Sequence, residues 1–251
     1  MLLLLRLACA FRFRVDADEP QHLHVIWGWV NGYLPYRDLF DNHGPVFHVL
    51  LSPLFSLLGE RPDILVPMRL AMIPLFAVCL WCLYRIGTSL FSRNVGICAA
   101  VLTGFFPEFF LTSAEFRTDV LWTVCWLLAL VIVTGKSFER KQAFLTGFLL
   151  GTAFGITVKT GLMIGSLGCW GLLTLVYAWS KGGVAVVRPL VVKALVGLAG
   201  FAIVPCLAML FFVMQGAGQQ FLYYNIGFNL VPHTQNGRVS MRMSSGFRSL
   251  S

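Results

Sequence analysis

The stretch LMIGSLGCWGLLTLVYAWS, residues 162–180, carries no charged side chain. At 1.5 Å per residue, a helix of that length reaches across the roughly 30 Å hydrocarbon layer of a bilayer. Working outward, runs of the same kind are read at about 64–86, 94–111, 120–135, 143–157 and 190–214. The whole chain agrees: 57% of its 251 residues are hydrophobic, 12% are charged, and the mean hydropathy is +0.77. Those values lie outside the range of soluble domains. The reading is therefore all-α, a polytopic transmembrane helix bundle of about six or seven spans, with residues 1–230 as one membrane-embedded domain.

The start, MLLLLRLACAFRF, is too short to span and is interrupted by Arg6, so it reads as a clipped first span. Residues 14–63 form a large polar first loop. Within it, GPVFHVLLSPLFSLLG (residues 44–59) is amphipathic and Pro-broken, which suits a helix lying along the membrane surface. The run at 143–157 ends in the break TVKTG, and discontinuous helices of this kind mark sites in membrane proteins. Residues 231–251 are polar and Ser-rich and read as a disordered tail.

Charge excludes some functions. The formal net charge is +8, but the basic residues lie in short loops, which fits anionic lipid headgroups and gives no reason to invoke nucleic acid. No phosphate loop of the Gly-x-x-x-x-Gly-Lys kind is present, so ATP-driven transport has no support. All seven cysteines fall in apolar runs and read as small buried hydrophobes, including the Cys79–Cys82 pair. With the chain starting inside, Arg85, Arg93, Lys136, Arg140, Lys141, Lys181, Arg188 and Lys193 fall on one side against Glu139 alone. The other ten acids and all five histidines fall on the opposite side, which the basic loops make extracytoplasmic, although Arg12, Arg14, Arg37, Arg61, Arg69, Arg117 and Lys159 also lie on or near it.

Candidate chemistry gathers on that acidic side. VDADEPQHLH (residues 15–24) holds Asp16, Asp18 and Glu19; they are either a solvated loop or a carboxylate base for an incoming nucleophile. In SAEFRTDVLW (residues 113–122), Glu115 and Asp119 share a face if helical, and with Arg117 they either anchor the loop or serve a site at the membrane boundary. Lys159, at the helix break, is either a snorkelling side chain or the partner of an anion such as a lipid phosphate. In GYLPYRDLFDNHGP (residues 32–45), Arg37 and His43 are fitted to grip phosphate or hydroxyl groups. His22 and His24 leave room for a divalent metal, and no other cofactor is expected. Trp27, Trp29, Tyr33 and Tyr36 suit an interfacial belt or a sugar-stacking face.

Taken in order, these motifs resemble a known group. DADEPQHLHVIWGWVNGYLPYRDLFDNHGPVFHVLLSPLF (residues 16–55) is similar to the first extracytoplasmic loop of GT-C type integral-membrane glycosyltransferases. The nearer resemblance is to the group of dolichyl-phosphate-mannose–protein mannosyltransferases (glycosyltransferase family 39) and lipid A aminoarabinose transferases. EFRTDVLW resembles their Arg-x-Asp opening of a span, GFLLGTAFGITVKTG their Gly-rich helix ending in lysine, and FLYYNIGFN also has their look. Asp18–Glu19 falls on their Asp-Glu pair, while His43-Gly44-Pro45 stands where some relatives have Lys-Pro-Pro.

The resemblance implies transfer of a sugar from a polyprenyl-phosphate donor to a glycan, lipid or protein acceptor on the outer face of the cell membrane. Asp18, Glu19 and Asp119 would be catalytic, and Arg117, Lys159, Arg37, His43 and Glu115 would bind substrate. Members of the group are about twice this length, so a fragment or an inactive copy is a further expectation. Outside the resemblance, the competing readings are a secondary transporter or flippase, whose charges should sit at mid-membrane between repeated halves, and a non-catalytic membrane subunit.

Overall fold

The computed structural model describes residues 2–230; the expected tail at 231–251 lies outside them. Among the described residues the fold is all-α, with no strand beyond an isolated bridge between Pro35 and Leu39. The helices are α1 (Leu2–Arg12), α2 (Asp18–Val30), α3 (Val46–Leu58), α4 (Leu65–Leu70), α5 (Met72–Leu90), α6 (Arg93–Phe105), α7 (Pro107–Thr112), α8 (Thr118–Val133), α9 (Arg140–Ile156), α10 (Thr160–Met214) and α11 (Gly218–Leu222). A π-helical turn, Tyr223–Gly227, follows.

Two helical stretches, Leu65–Leu90 and Thr160–Met214, are long and apolar enough to cross a membrane. The first matches the run expected at 64–86. The second contains both runs expected at 162–180 and 190–214, as two helices on either side of Gly183. They meet at Gly183, whose φ of 56° and ψ of −143° no other residue type adopts cheaply, and the chain reverses there: Thr160 and Val204 both lie against the end of α9. The run expected at 94–111 is divided, because Phe106 precedes Pro107 and is held extended. The break at TVKTG is present: Thr157 is extended (φ −151°, ψ 134°) between α9 and α10.

The strongest packing is α9 against α10, and the sequence of α9 shows why. Ala143, Gly147, Gly151 and Gly155 recur every fourth residue, forming one small-residue face. A Cβ on Gly147 would overlap the carbonyl of Gly197, and one on Gly151 the carbonyl of Phe201. The backbones therefore touch, and dispersion replaces side-chain interdigitation. By contrast, Leu162, Trp170, Leu172, Val176 and Trp179 of α10 are exposed, a surface that suits lipid and not water.

One apolar core, including Ile26, Phe47, Met68, Phe116, Trp126 and Ile156, joins α2, α3, α4, α8 and α9 beneath the acidic segments. A smaller core of Tyr36, Phe212, Ala217 and Phe221 ties the first loop to the end of α10. Tyr36 takes a left-handed backbone (φ 70°), unusual without glycine, and is held there by burial and by donating its hydroxyl to the carbonyl of His43 at 2.6 Å. Arg6 does not loosen α1. Its guanidinium is buried against the Phe76 ring and donates to the carbonyls of Phe110 (2.6 Å) and Ser113 (2.9 Å), satisfying acceptors at the end of α7.

Candidate active site

The acidic segment at 15–24 does not remain a loop. It turns into α2 at Asp18, placing Asp18 and Glu19 in the first helical turn, where the positive end of the helix dipole favours carboxylates. Asp16 closes the turn: its side chain accepts from the Asp18 amide at 3.1 Å, and its own amide donates to Glu19 Oε2 at 3.0 Å. The adjacent acids then part company. Asp18 is half-buried and faces Arg117, while Glu19 is fully buried and faces inward.

Glu19 meets Arg69 in a two-pronged ion pair, Nε to Oε1 at 2.7 Å and Nη2 to Oε2 at 2.5 Å. It also accepts the Phe116 amide at 2.7 Å. Arg69 spends its remaining donors on the carbonyls of Phe13 (3.1 Å) and Arg14 (2.7 Å). Every strong donor and acceptor of the pair is thus satisfied inside the protein, fastening α2, α4 and the segment before α8 together. Arg69 was not singled out from the sequence, although a lone guanidinium inside an apolar run is the signal that marks it.

Arg117 is the opposite case. It stands in extended conformation (φ −136°, ψ 159°) just before α8, so Glu115 lies outside the helix and does not share a helical face with Asp119. The two acids meet through Arg117 instead. Its guanidinium lies 2.9 Å from Asp18, 3.1 Å from Asp119, 3.4 Å from Glu115 and 3.5 Å from Asp16. Only the contacts to Asp16 and Glu115 have hydrogen-bond geometry; those to Asp18 and Asp119 are charge contacts. Burial works against the Arg117 charge, but the four carboxylates outweigh it and raise its pKa. Four acids around one guanidinium leave an excess of negative charge. Glu115 registers it: burial first, then Asp16, raises its carboxyl above the usual range.

Beside this cluster lies a buried group of imidazoles. His22, one turn beyond Asp18 on α2, sits 3.1 Å from His48 of α3. Asp41, fully buried, lies 3.2 Å from His48 Nδ1 and 3.4 Å from His43 Nδ1. Burial, with the fields of His48, His43 and Arg117, pushes the His22 pKa down to about 2, so its ring is neutral at physiological pH. The turn at His43-Gly44 docks on the end of α9: the Gly44 amide donates to the Ile156 carbonyl at 2.9 Å, and a Cβ on Gly44 would overlap the Gly155 carbonyl. This brings His43 to the helix break that carries Lys159. Lys159 is exposed, and none of the ion pairs among the described residues includes it.

Arg37 stays apart. It is exposed and paired with the adjacent Asp38 at 2.9 Å, which holds the Asp38 carboxyl down at about 2. His24 diverges from His22 and stacks on Trp27, with ring centroids 5.7 Å apart. Among the described residues, no group of three His, Cys, Asp or Glu side chains is placed to hold a metal ion.

An all-α chain with membrane-length apolar helices and an acidic, arginine-centred cluster at helix ends has the features of a membrane protein with a polar site at the ends of its helices. Its class is given by comparison: the family described as dolichyl-phosphate-mannose-protein mannosyltransferase matches residues 42–208, more than half of the chain. The protein belongs to that family, which consists of integral-membrane glycosyltransferases of the GT-C type. The matched region includes His43, Glu115, Arg117, Asp119 and Lys159, while Asp16, Asp18, Glu19 and Arg37 precede it. No curated protein and no solved structure matches the chain.

Proposed function

We propose that this protein transfers a sugar from a polyprenyl-phosphate donor to a hydroxyl acceptor at the extracytoplasmic boundary of a multi-pass membrane domain. The observation that carries the reading is the convergence of Asp16 and Asp18 with Glu115 and Asp119 on Arg117, from segments about a hundred residues apart in sequence. Such a group is too charged for a bilayer interior and too well built for a random loop.

The chemistry follows from the charges. Asp18, half-buried and on the rim, takes the proton from the acceptor hydroxyl. The freed oxygen pair attacks the anomeric carbon, the bond from that carbon to the phosphate oxygen breaks, and the polyprenyl phosphate leaves with the electron pair. In-line displacement inverts the carbon. The excess carboxylate charge of Asp16 and Asp119 stabilises positive charge growing on the sugar ring. Arg117, saturated with carboxylates, holds those acids in place, so the departing phosphate falls to Lys159 and His43. Glu19, buried on Arg69, positions Asp18. A divalent cation would be drawn to the same excess of negative charge.

A second feature supports a lipid-linked donor. A cavity of about 400 Å³ lies between α3 and the end of α10, lined by apolar and aromatic side chains including Trp29, Val46, Leu50, Leu207, Phe211 and Phe212. It begins at Pro45, next to the His43-Gly44 turn, so a polyprenyl chain seated there would present its phosphate at that turn.

The test is transfer from radiolabelled polyprenyl-phosphate sugars by the membrane-reconstituted protein and its Asp18→Asn variant. Removing a positioned base lowers rates by about 10²–10⁴. Unchanged transfer in Asp18→Asn would remove Asp18 from this role, and vesicle uptake of sugar without transfer would favour a carrier.

A further inference from the structure

The other end of α9 carries a second charged feature that the transfer reaction does not use. Arg140, the first residue of α9, faces Arg188 and Lys193 of α10 across a cavity of about 260 Å³ that Pro189 and Val192 complete. At 1.5 Å per residue, the 17-residue α9 separates this cavity from Ile156 and the acidic end by roughly 25 Å.

The packing makes the convergence unavoidable. The contact of Gly147 with Gly197 and of Gly151 with Phe201 brings the two backbones together, so side chains at neighbouring levels of both helices face each other. Arg188, Pro189, Val192 and Lys193 stand at i, i+1, i+4 and i+5, which is one patch of α10. None of the three cations has a carboxylate partner among the described residues. Glu139, the nearest acid in sequence, is occupied: its side chain caps the first turn of α9 in a reciprocal exchange with Gln142. The positive end of the α9 dipole adds to the same field. Three like charges around one cavity repel unless an anion sits between them.

We propose that this cavity binds the phosphate of an anionic phospholipid headgroup. The surroundings select a lipid over a free anion. Val184, Val191 and Leu195 of α10 and Phe144 and Leu145 of α9, within about one helical turn of these cations in sequence, are exposed and offer apolar surface for acyl chains. Basic pockets between membrane helices take anionic headgroups in this way. Because the site lies on the glycine-packed pair of helices, its lipid braces α9 against α10.

The experiment measures lipid binding by native mass spectrometry, and melting in detergent, for the full chain and for the triple variant Arg140→Gln/Arg188→Gln/Lys193→Gln. The probes are phosphatidylglycerol, phosphatidylcholine and inorganic phosphate. Each basic side chain is worth about fivefold in anionic-lipid affinity, so phosphatidylglycerol should bind on the order of 100-fold more weakly to the triple variant. Melting of that variant with phosphatidylcholine should be unchanged, which shows that it folds. Equal binding of the two lipids by the parent, or a preference that survives the triple substitution, overturns the proposal. So does stabilisation by phosphate alone that matches phosphatidylglycerol, since that describes a small-anion site. None of these readouts involves sugar transfer, so the outcome is independent of the proposed reaction.

Discussion

Two arginines that meet neighbouring acids, Arg69 at Glu19 and Arg117 at Asp18, behave in opposite ways. Arg69 meets a single carboxylate, Glu19, with matched geometry and almost no exposure (3% and 0%). Arg117 meets four carboxylates from a half-exposed position, with side-chain exposure of 27%, and matches none of them in the same two-pronged way. The first arrangement is closed: its donors and acceptors are consumed, and it has nothing left for a substrate. The second is open, with surplus charge facing solvent. Adjacent residues, Asp18 and Glu19, are divided between the two because α2 begins at that point and sends successive side chains about 100° apart around the helix.

The contrast can be broken by experiment, and the largest effect belongs to the closed pair. Arg69→Met leaves the buried Glu19 charge without its ion-pair partner, which costs about 3–5 kcal/mol. Loss of a cooperative melting transition in detergent is the expected result. Adding Glu19→Gln should restore much of the stability, because the unpaired charge goes with it. A single Arg69→Met variant that melts like the parent would show that the pair does not hold α2 in place.

For the open centre the order of effects reverses. Arg117→Gln should shift stability by only about 1 kcal/mol or less, since partly solvated ion pairs are weak. Transfer should still fall at least as far as in Asp18→Asn, because four carboxylates lose the charge that gathers them. Unfolding as severe as that of Arg69→Met would erase the distinction between the two centres.

The smallest effect is a pH dependence at Glu115. Its pKa is raised in the folded protein, by burial first and then by Asp16. A raised carboxyl contributes stability that is fully present below its ordinary value of 4.5 and is lost as pH rises through the folded value. Glu115→Gln should therefore melt higher than the parent at pH 7, with the gap narrowing toward pH 4. A gap that widens on acidification would reverse the sign of the charge imbalance around Arg117.

Much of this was legible beforehand, and for a physical reason. Apolar run length sets where helices form, and the break at TVKTG and the end of each membrane-length stretch were readable as local signals. The gathering of Asp18, Glu115, Arg117 and Asp119 was also expected, because charges avoid the hydrocarbon and collect at helix ends. What misled the reading was local chemistry with two outcomes. Pro107 divides a run whose composition looks unbroken, and Arg117 stands extended, so Glu115 and Asp119 meet through it and not on one helical face.

By itself, then, the sequence determined an all-α membrane protein and the segments that carry its charged side chains. That information is carried by composition and period, which act over one or two helical turns. Only the tertiary structure decided which carboxylate is spent and which is free. It sent Glu19 to Arg69 across fifty residues and Asp18 to Arg117 across about a hundred. It also left Arg37 with its neighbour and set three cations around an unpaired cavity. Ion-pair energies depend on separation in space and on burial, and neither is written in the order of residues until the helices have packed.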